Sequence, residues 1–332
     1  MSVKPGAEVL TGGLGMEVGT PQSLTKRRRP FEQFMHGALW LCGAISILTT
    51  IGIVYMLGQE ALLFFRRSEV RLLDFLTGWT WQPQTLQFGI WPLVNATMGA
   101  SLMAMALALP LGLLIAIYLS EYAGSRARRI LKPILEVLAG IPTVVYGYFA
   151  LTFVTPILRN LFGIEVVEIF NIASAGLVIG VLVLPTVTSM SEDALRAVPL
   201  ALREAAVGLG ATKLETSLRV VVPAALSGIS AAFIVAMSRA VGETMIVAVA
   251  AGAGPRNFAD WGEALGGLRA LNPFQSAETM TGHIVRISGG DISYDSLDYD
   301  SLFAIGLLLF LMTLGLNIFS RAIARRFRER YD

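Results

Sequence analysis

The chain has 332 residues, 54% hydrophobic and 15% charged, where an ordinary soluble domain carries about 25% charged residues. With a mean hydropathy of +0.64, a water-soluble globule is excluded, and the question becomes whether apolar runs reach the roughly 20 residues a membrane crossing needs. One cysteine, Cys42, excludes an internal disulfide or a multi-cysteine metal site, and His36 and His283 lack ligand-like neighbours.

In chain order, residues 1–25 are rich in Gly, Ser and Thr and read as a flexible tail, followed by the basic run Lys26 to Arg29. Gly37 to Gly58 is uncharged over 22 residues and no small-residue cleavage site follows, so it is expected as a retained membrane helix rather than a signal peptide. Cys42 lies within it and reads as a buried, inert thiol. From Phe75 to Ser120 there is no charged residue. Trp79, Trp81 and Trp91 stand at the edge of that run, where interfacial aromatic side chains belong. Further spans are expected at about Leu93 to Leu119 with a kink at Pro110, Ile134 to Leu158, Ile172 to Met190, a fifth inside Val220 to Gly254, and Leu302 to Ser320. Glu136, near the start of the third, reads as interfacial.

Six spans put both ends on one side, and the distribution of charge says which. Segment 121–133 has four basic residues against one acidic, and the tail from 321 has five against two. Loop 255–301 has three basic against seven acidic. Both termini are therefore expected in the cytoplasm. The expected layout is a tail to residue 36, a first helix and outer loop at 37–92, a core of five helices at 93–320, and a tail at 321–332.

Two stretches carry specific signals. After Pro199, the helix-favouring run Leu200 to Val207 is broken by Gly208 and Gly210, which predicts a short helix and a turn. Leu214 and Leu218 supply an apolar stripe beyond it. Small Ala205 and Ala206 would let another protein approach, with Arg203 and Glu204 as polar ends. In the fifth span, Arg239 and Glu243 stand at i, i+4 and would share a helix face and pair. An Arg at bilayer depth costs about 2.5–3.5 kcal/mol on insertion scales and normally faces a cavity or partner, where its planar donors suit two oxygens of a phosphate. From the residues alone, a purely structural ion pair is equally open.

Glu204, Ala205, Ala206, three residues, Gly210, nine residues, then Val220, Val222 and Pro223 resemble the EAA loop of bacterial ABC importer permeases, with Val for Ile and Val for Leu as the departures. Ala139-Gly-Ile-Pro-Thr-Val-Val-Tyr-Gly147, Met190-Ser-Glu-Asp-Ala-Leu-Arg-Ala-Val-Pro199 and Arg239-Ala-Val-Gly-Glu-Thr244 are similar to motifs of the phosphate-specific branch, nearer to the C-type of its two permeases. The resemblance covers roughly Asn95 to the C-terminus. It implies an all-α integral membrane protein with the type I importer (MetI-like) permease fold, six transmembrane helices and a cytoplasmic EAA coupling helix, in a bacterial inner membrane. It further implies Arg239, Glu243 and Thr244 on the substrate pathway, and Glu204, Ala205, Ala206, Gly210, Val220 and Pro223 coupling to an ATPase. The implied partners are a second paralogous permease, an ATPase dimer that binds ATP and Mg, an extracytoplasmic phosphate-binding protein, inorganic phosphate and membrane lipid, with no nucleic acid.

No G-x-x-x-x-G-K-[ST] phosphate loop occurs, since Gly208-Leu-Gly-Ala-Thr-Lys213 has the wrong spacing. The chain is therefore expected to bind no cofactor and to be no enzyme by itself. A permease for another oxyanion is the nearest alternative. An ion-coupled secondary transporter is more distant, since no internal repeat is visible, and a membrane enzyme lacks a nucleophile, metal or acid-base set.

Overall fold

The computed structural model describes residues 30–259, 262–263, 272–290 and 296–326; the tail before Pro30, parts of the acidic loop and the last residues from 327 lie outside these. The chain divides into two units, 1–52 and 53–332. In the first, the described residues are the opening part of helix α1, Pro30–Arg66. Leu39, Trp40, Leu48 and Ile51 are exposed around its surface, as on a helix that lipid can surround. Cys42, expected to be buried, is exposed there as well.

The second unit is built on α3, Trp91–Ile117, against α7, Ile172–Arg196. Their backbones approach closely because the facing residues are small: a Cβ added at Gly180 would lie 2.8 Å from the carbonyl oxygen of Ala104. Such small-residue contact is how membrane helices gain packing without a hydrophobic driving force between them. Ala100, Ala104, Ala108, Ile179, Leu182 and Val183 form the centre of the resulting core.

Between these helices the chain departs from expectation. The third crossing begins at Thr143 and runs to Phe162, while α4, Ser125–Gly140, is a separate helix. Pro142 disfavours helical backbone at the residue before it, and Ile141 is extended at φ −69°, ψ 132°. The crossing comprises α5, Thr143–Phe149, a wide π turn, Ala150–Val154, and α6, Thr155–Phe162. The turn contains Thr152, four residues before Pro156, whose ring would otherwise meet that carbonyl.

The fifth apolar run is not one straight helix. α9, Lys213–Thr216, leads through a π turn, Ser217–Val221, into α10, Val222–Ala224. The axis then bends by 71° into α11, Leu226–Val241. Pro223 stands four residues after Arg219 of that π turn, the same arrangement as Pro156. A second break, Gly242 to Thr244, separates α11 from α12, Met245–Ala250. α13, Met280–Ser288, and α14, Leu297–Arg326, complete the unit. Among the described residues, five helices are long and apolar enough to cross a membrane, or six if the bent pair is one span.

A small cap joins the ends of α1 and α3. It comprises α2, Leu72–Thr77, and two short antiparallel strands, β1, Trp81–Gln82, and β2, Gln87–Phe88. Trp81 is not interfacial, being 1% exposed with its ring edge-on to Phe75, Phe88 and His283. Four aromatic rings meeting there exclude water more effectively than an interfacial position would allow.

Candidate functional site

Arg239 lies in the last turn of α11 on an exposed face. Its Nη1 donates to Thr186 Oγ1 of α7 at 3.1 Å. The expected pairing with Glu243 is not formed. α11 ends at Val241, so the i, i+4 geometry does not extend to Glu243; the Glu243 Oε1 atom instead accepts from Ile246 N at 3.4 Å. Thr244 adjoins the same break and donates its hydroxyl to the Gly242 carbonyl at 3.1 Å. Arg239, Glu243 and Thr244 are thus close along the chain, at a discontinuity where helix ends open the backbone. From the far side, Thr281 Oγ1 of α13 donates to the Glu243 carbonyl at 2.7 Å.

The segment after α7 forms a helix, a turn and a helix, as its residues predict. α8 spans Leu200–Gly208. Gly210 then takes φ +88°, a region costly for any residue with a Cβ. Ala211 N donates to the Ala206 carbonyl at 3.0 Å, closing the turn. Thr212 and Glu215 cap α9 reciprocally, and hydrogen bonds donated by the Thr212 backbone N–H and hydroxyl hold the exposed Glu215 carboxyl below the usual range. Leu200, Val207, Leu209, Leu214 and Leu218 are each exposed along this segment, Leu209 at 91%, and exposed apolar side chains that gather into a patch mark an interaction site. Glu204, Ala205 and Pro223 are exposed and Val220 half-buried. Ala206, expected on the contact surface, is only 8% exposed, because the turn it closes folds its methyl inward. Arg203 is likewise turned inward, donating to the Leu195 and Val198 carbonyls at 2.8 and 2.7 Å and to Glu121 Oε1 at 3.1 Å. It ties α8 to the ends of α7 and α3, where a cation complements the helix carbonyls.

Two features were not anticipated from sequence. Glu192 of α7, 1% exposed, is bridged by Lys132 and Arg196 at 3.1 Å and by Arg128 at 3.8 Å; the Arg196 part was visible as an i, i+4 pair. Glu278, 1% exposed, meets Arg286 Nε at 2.6 Å and His283 Nδ1 at 3.3 Å. Burial opposes ionisation of Glu278, but hydrogen bonds from His283 and Arg286 outweigh it and hold its carboxyl below the usual range. Glu278 in turn holds the Arg286 guanidinium above its ordinary value.

Residues 108–330 match the family model described as binding-protein-dependent transport system inner membrane component. The chain belongs to this family. Among curated relatives of this permease is "Probable ABC transporter permease protein YqgH" of Bacillus subtilis, 30% identical across 86% of this chain and 88% of that one. "Phosphate transport system permease protein PstC" of Mesorhizobium japonicum is 30% identical across 94% and 96% respectively. Among solved structures, the MetNI methionine ABC transporter in an inward-facing form aligns at 22% identity and a TM-score of 0.49, over 73% of this chain and 95% of that one. The family match makes the permease an inner membrane component of a binding-protein-dependent transport system, and its described residues are mostly helical.

Proposed function

We propose that this chain is the permease subunit of an ATP-driven phosphate importer, providing half of the pathway along a surface that contains Arg239. The observation that carries the reading is the exposed guanidinium at the Gly242 break beside the Thr186 hydroxyl. An exposed Arg at membrane depth needs an aqueous cavity or a partner, and a relative 30% identical over nearly the whole chain is named a phosphate transport permease. The partner across Arg239 is a second paralogous permease. The apolar surface of Leu209 and Leu214, with Glu204, Ala205 and Gly210, receives one of two ATPase subunits that bind ATP and Mg. An extracytoplasmic phosphate-binding protein delivers the anion. Both termini and α8 lie in the cytoplasm, and 256–301 outside.

The test is uptake by proteoliposomes holding this permease, its paralogue, the ATPase and the delivery protein. Phosphate accumulation that requires ATP and the delivery protein, with sulfate excluded, is the expected result. Uptake without the ATPase, or of sulfate in preference to phosphate, overturns the reading.

A further inference from the structure

α4 is amphipathic in an inverted sense. Its apolar side chains Ile130, Ile134 and Val137, at i, i+4 and i+7, are exposed. Lys132, Arg128 and Glu136 turn instead toward α7 or line the clefts beside it. In a water-soluble domain the apolar stripe would be inside; in a membrane protein an inward polar face lines a water-filled cavity. Such a cavity, of about 290 Å³, lies between α4 and α7, with Lys132, Glu136, Thr186, Ser189 and Glu192 in its wall. A more open cleft of about 420 Å³ shares Lys132 and Glu136 with it and adds Arg128 and Arg129.

The two ends of the cavity differ in what they touch. Thr186 takes the Arg239 hydrogen bond, so one end adjoins the guanidinium. At the other, Lys132 Nζ is 3.1 Å from Glu192, and the cleft beyond is rimmed by arginines. Thr186 and Ser189, at i, i+3 on α7, put two hydroxyls on the wall between them. We propose that this cavity is a second subsite for the transported oxyanion, with the Lys132 ammonium as its charge partner and the Thr186 and Ser189 hydroxyls as donors. This inference rests on Arg239 being a pathway residue. Glu192 has a definite part in it: by holding Lys132 it keeps the ammonium from gripping the anion, and an exit site must bind weakly enough to let its ion leave. The cavity wall itself holds Lys132 against Glu136 and Glu192; the positive surplus comes from its surroundings, where Arg128 and Arg129 rim the adjoining cleft and Arg196 pairs with Glu192, so that four cations stand around two carboxylates.

The experiment uses the complete complex in nanodiscs with Cys42→Ser and Ser189→Cys. The rate of alkylation at position 189 by a water-soluble maleimide is followed with inorganic phosphate or with chloride at equal ionic strength. Phosphate at about twice its half-occupancy concentration leaves a third of the sites free, so labelling slows about threefold. Lys132→Gln removes that protection. Arg239→Gln retains it while phosphate uptake is lost. If Lys132→Gln does not assemble, Lys132→Gln combined with Glu192→Gln is used and carries the same expectation. A labelling rate indifferent to phosphate, in a complex whose uptake still depends on Arg239, overturns the subsite alone. Normal uptake with Arg239→Gln overturns the pathway reading beneath it.

Discussion

The Thr281 hydroxyl donates to the main-chain carbonyl of Glu243 at 2.7 Å, across 38 positions of sequence. Thr281 is 5% exposed, and the carbonyl it satisfies belongs to the Gly242–Thr244 break, where no helix supplies a donor. α13 therefore supports the discontinuity that follows Arg239. Leaving a buried carbonyl unpaired costs about 1–3 kcal/mol. Thr281→Val, equal in shape, is expected to lower the melting temperature of the complex and slow phosphate uptake, whereas Thr281→Ser retains both. Unchanged uptake in Thr281→Val would show that the break is held by other contacts.

The cluster at the base of α13 predicts an acid-sensitive loop. The folded-state pKa of Glu278 is lowered, so its contribution to stability is fully present above the unfolded carboxylate value, about 4.3. That contribution is lost as pH falls through the lower folded value. Wild type should lose melting temperature more steeply than Glu278→Gln between neutral and strongly acid pH. Parallel acid limbs for the two proteins would refute the prediction. At neutral pH, Glu278→Gln removes the carboxylate that the Arg286 guanidinium hydrogen-bonds and should already be less stable.

The pattern of what the sequence made legible follows from the range of the forces involved. The helix and turn around Gly210 were readable because a left-handed glycine and a short helix-favouring run are local. The apolar runs were readable because length alone decides whether a helix can cross. Expectation failed where a local break competed with hydropathy: Pro142 separates α4 from the third crossing, and the Gly242 break separates Arg239 from Glu243, although composition continues smoothly through both. It failed again where tertiary packing decides exposure, as with buried Trp81, inward-facing Ala206 and exposed Cys42. The cations around Glu192 come from two helices about 60 positions apart, and only the Arg196 member is encoded by spacing.

Gly210 provides a test of the coupling surface. Its φ of +88° costs about 1–2 kcal/mol for a residue with a Cβ, but a Cβ there would meet nothing within 4 Å. Gly210→Val should therefore leave the membrane core intact and distort only the turn between α8 and α9. The expected outcome is normal abundance of the permease, reduced co-purification of the ATPase and reduced uptake, with Gly210→Asn milder because Asn tolerates this backbone better. Full ATPase recovery and full uptake with Gly210→Val would remove this turn from the coupling contact.

Arg203 separates docking from anchorage on the same helix. Its three hydrogen bonds to Leu195, Val198 and Glu121 fix α8 from within, whereas Glu204 is exposed. Arg203→Ala should loosen α8 and lower the melting temperature of the permease even without the ATPase. Glu204→Ala should leave that temperature unchanged and weaken only the complex. Equal losses in both variants would contradict this division.

The relation between Arg239 and Glu243 decides between passage and a structural pair. The two do not touch: Arg239 bonds Thr186 and Glu243 bonds the backbone at Ile246. Arg239→Lys retains charge but loses the planar fork, and Arg239→Gln loses both. Uptake should fall in each, more with Gln, while assembly and ATPase docking persist. If the two residues were a buried ion pair, Arg239→Gln with Glu243→Gln would leave no charge uncompensated and restore transport. Because the structure gives them separate partners, the double variant should transport no better than Arg239→Gln alone. Thr186→Val removes the hydrogen bond that Arg239 makes to α7, and should reduce uptake less than loss of the charge does. Recovery of phosphate uptake in the double variant, at normal membrane abundance, would return Arg239 to a structural role and withdraw it from the pathway.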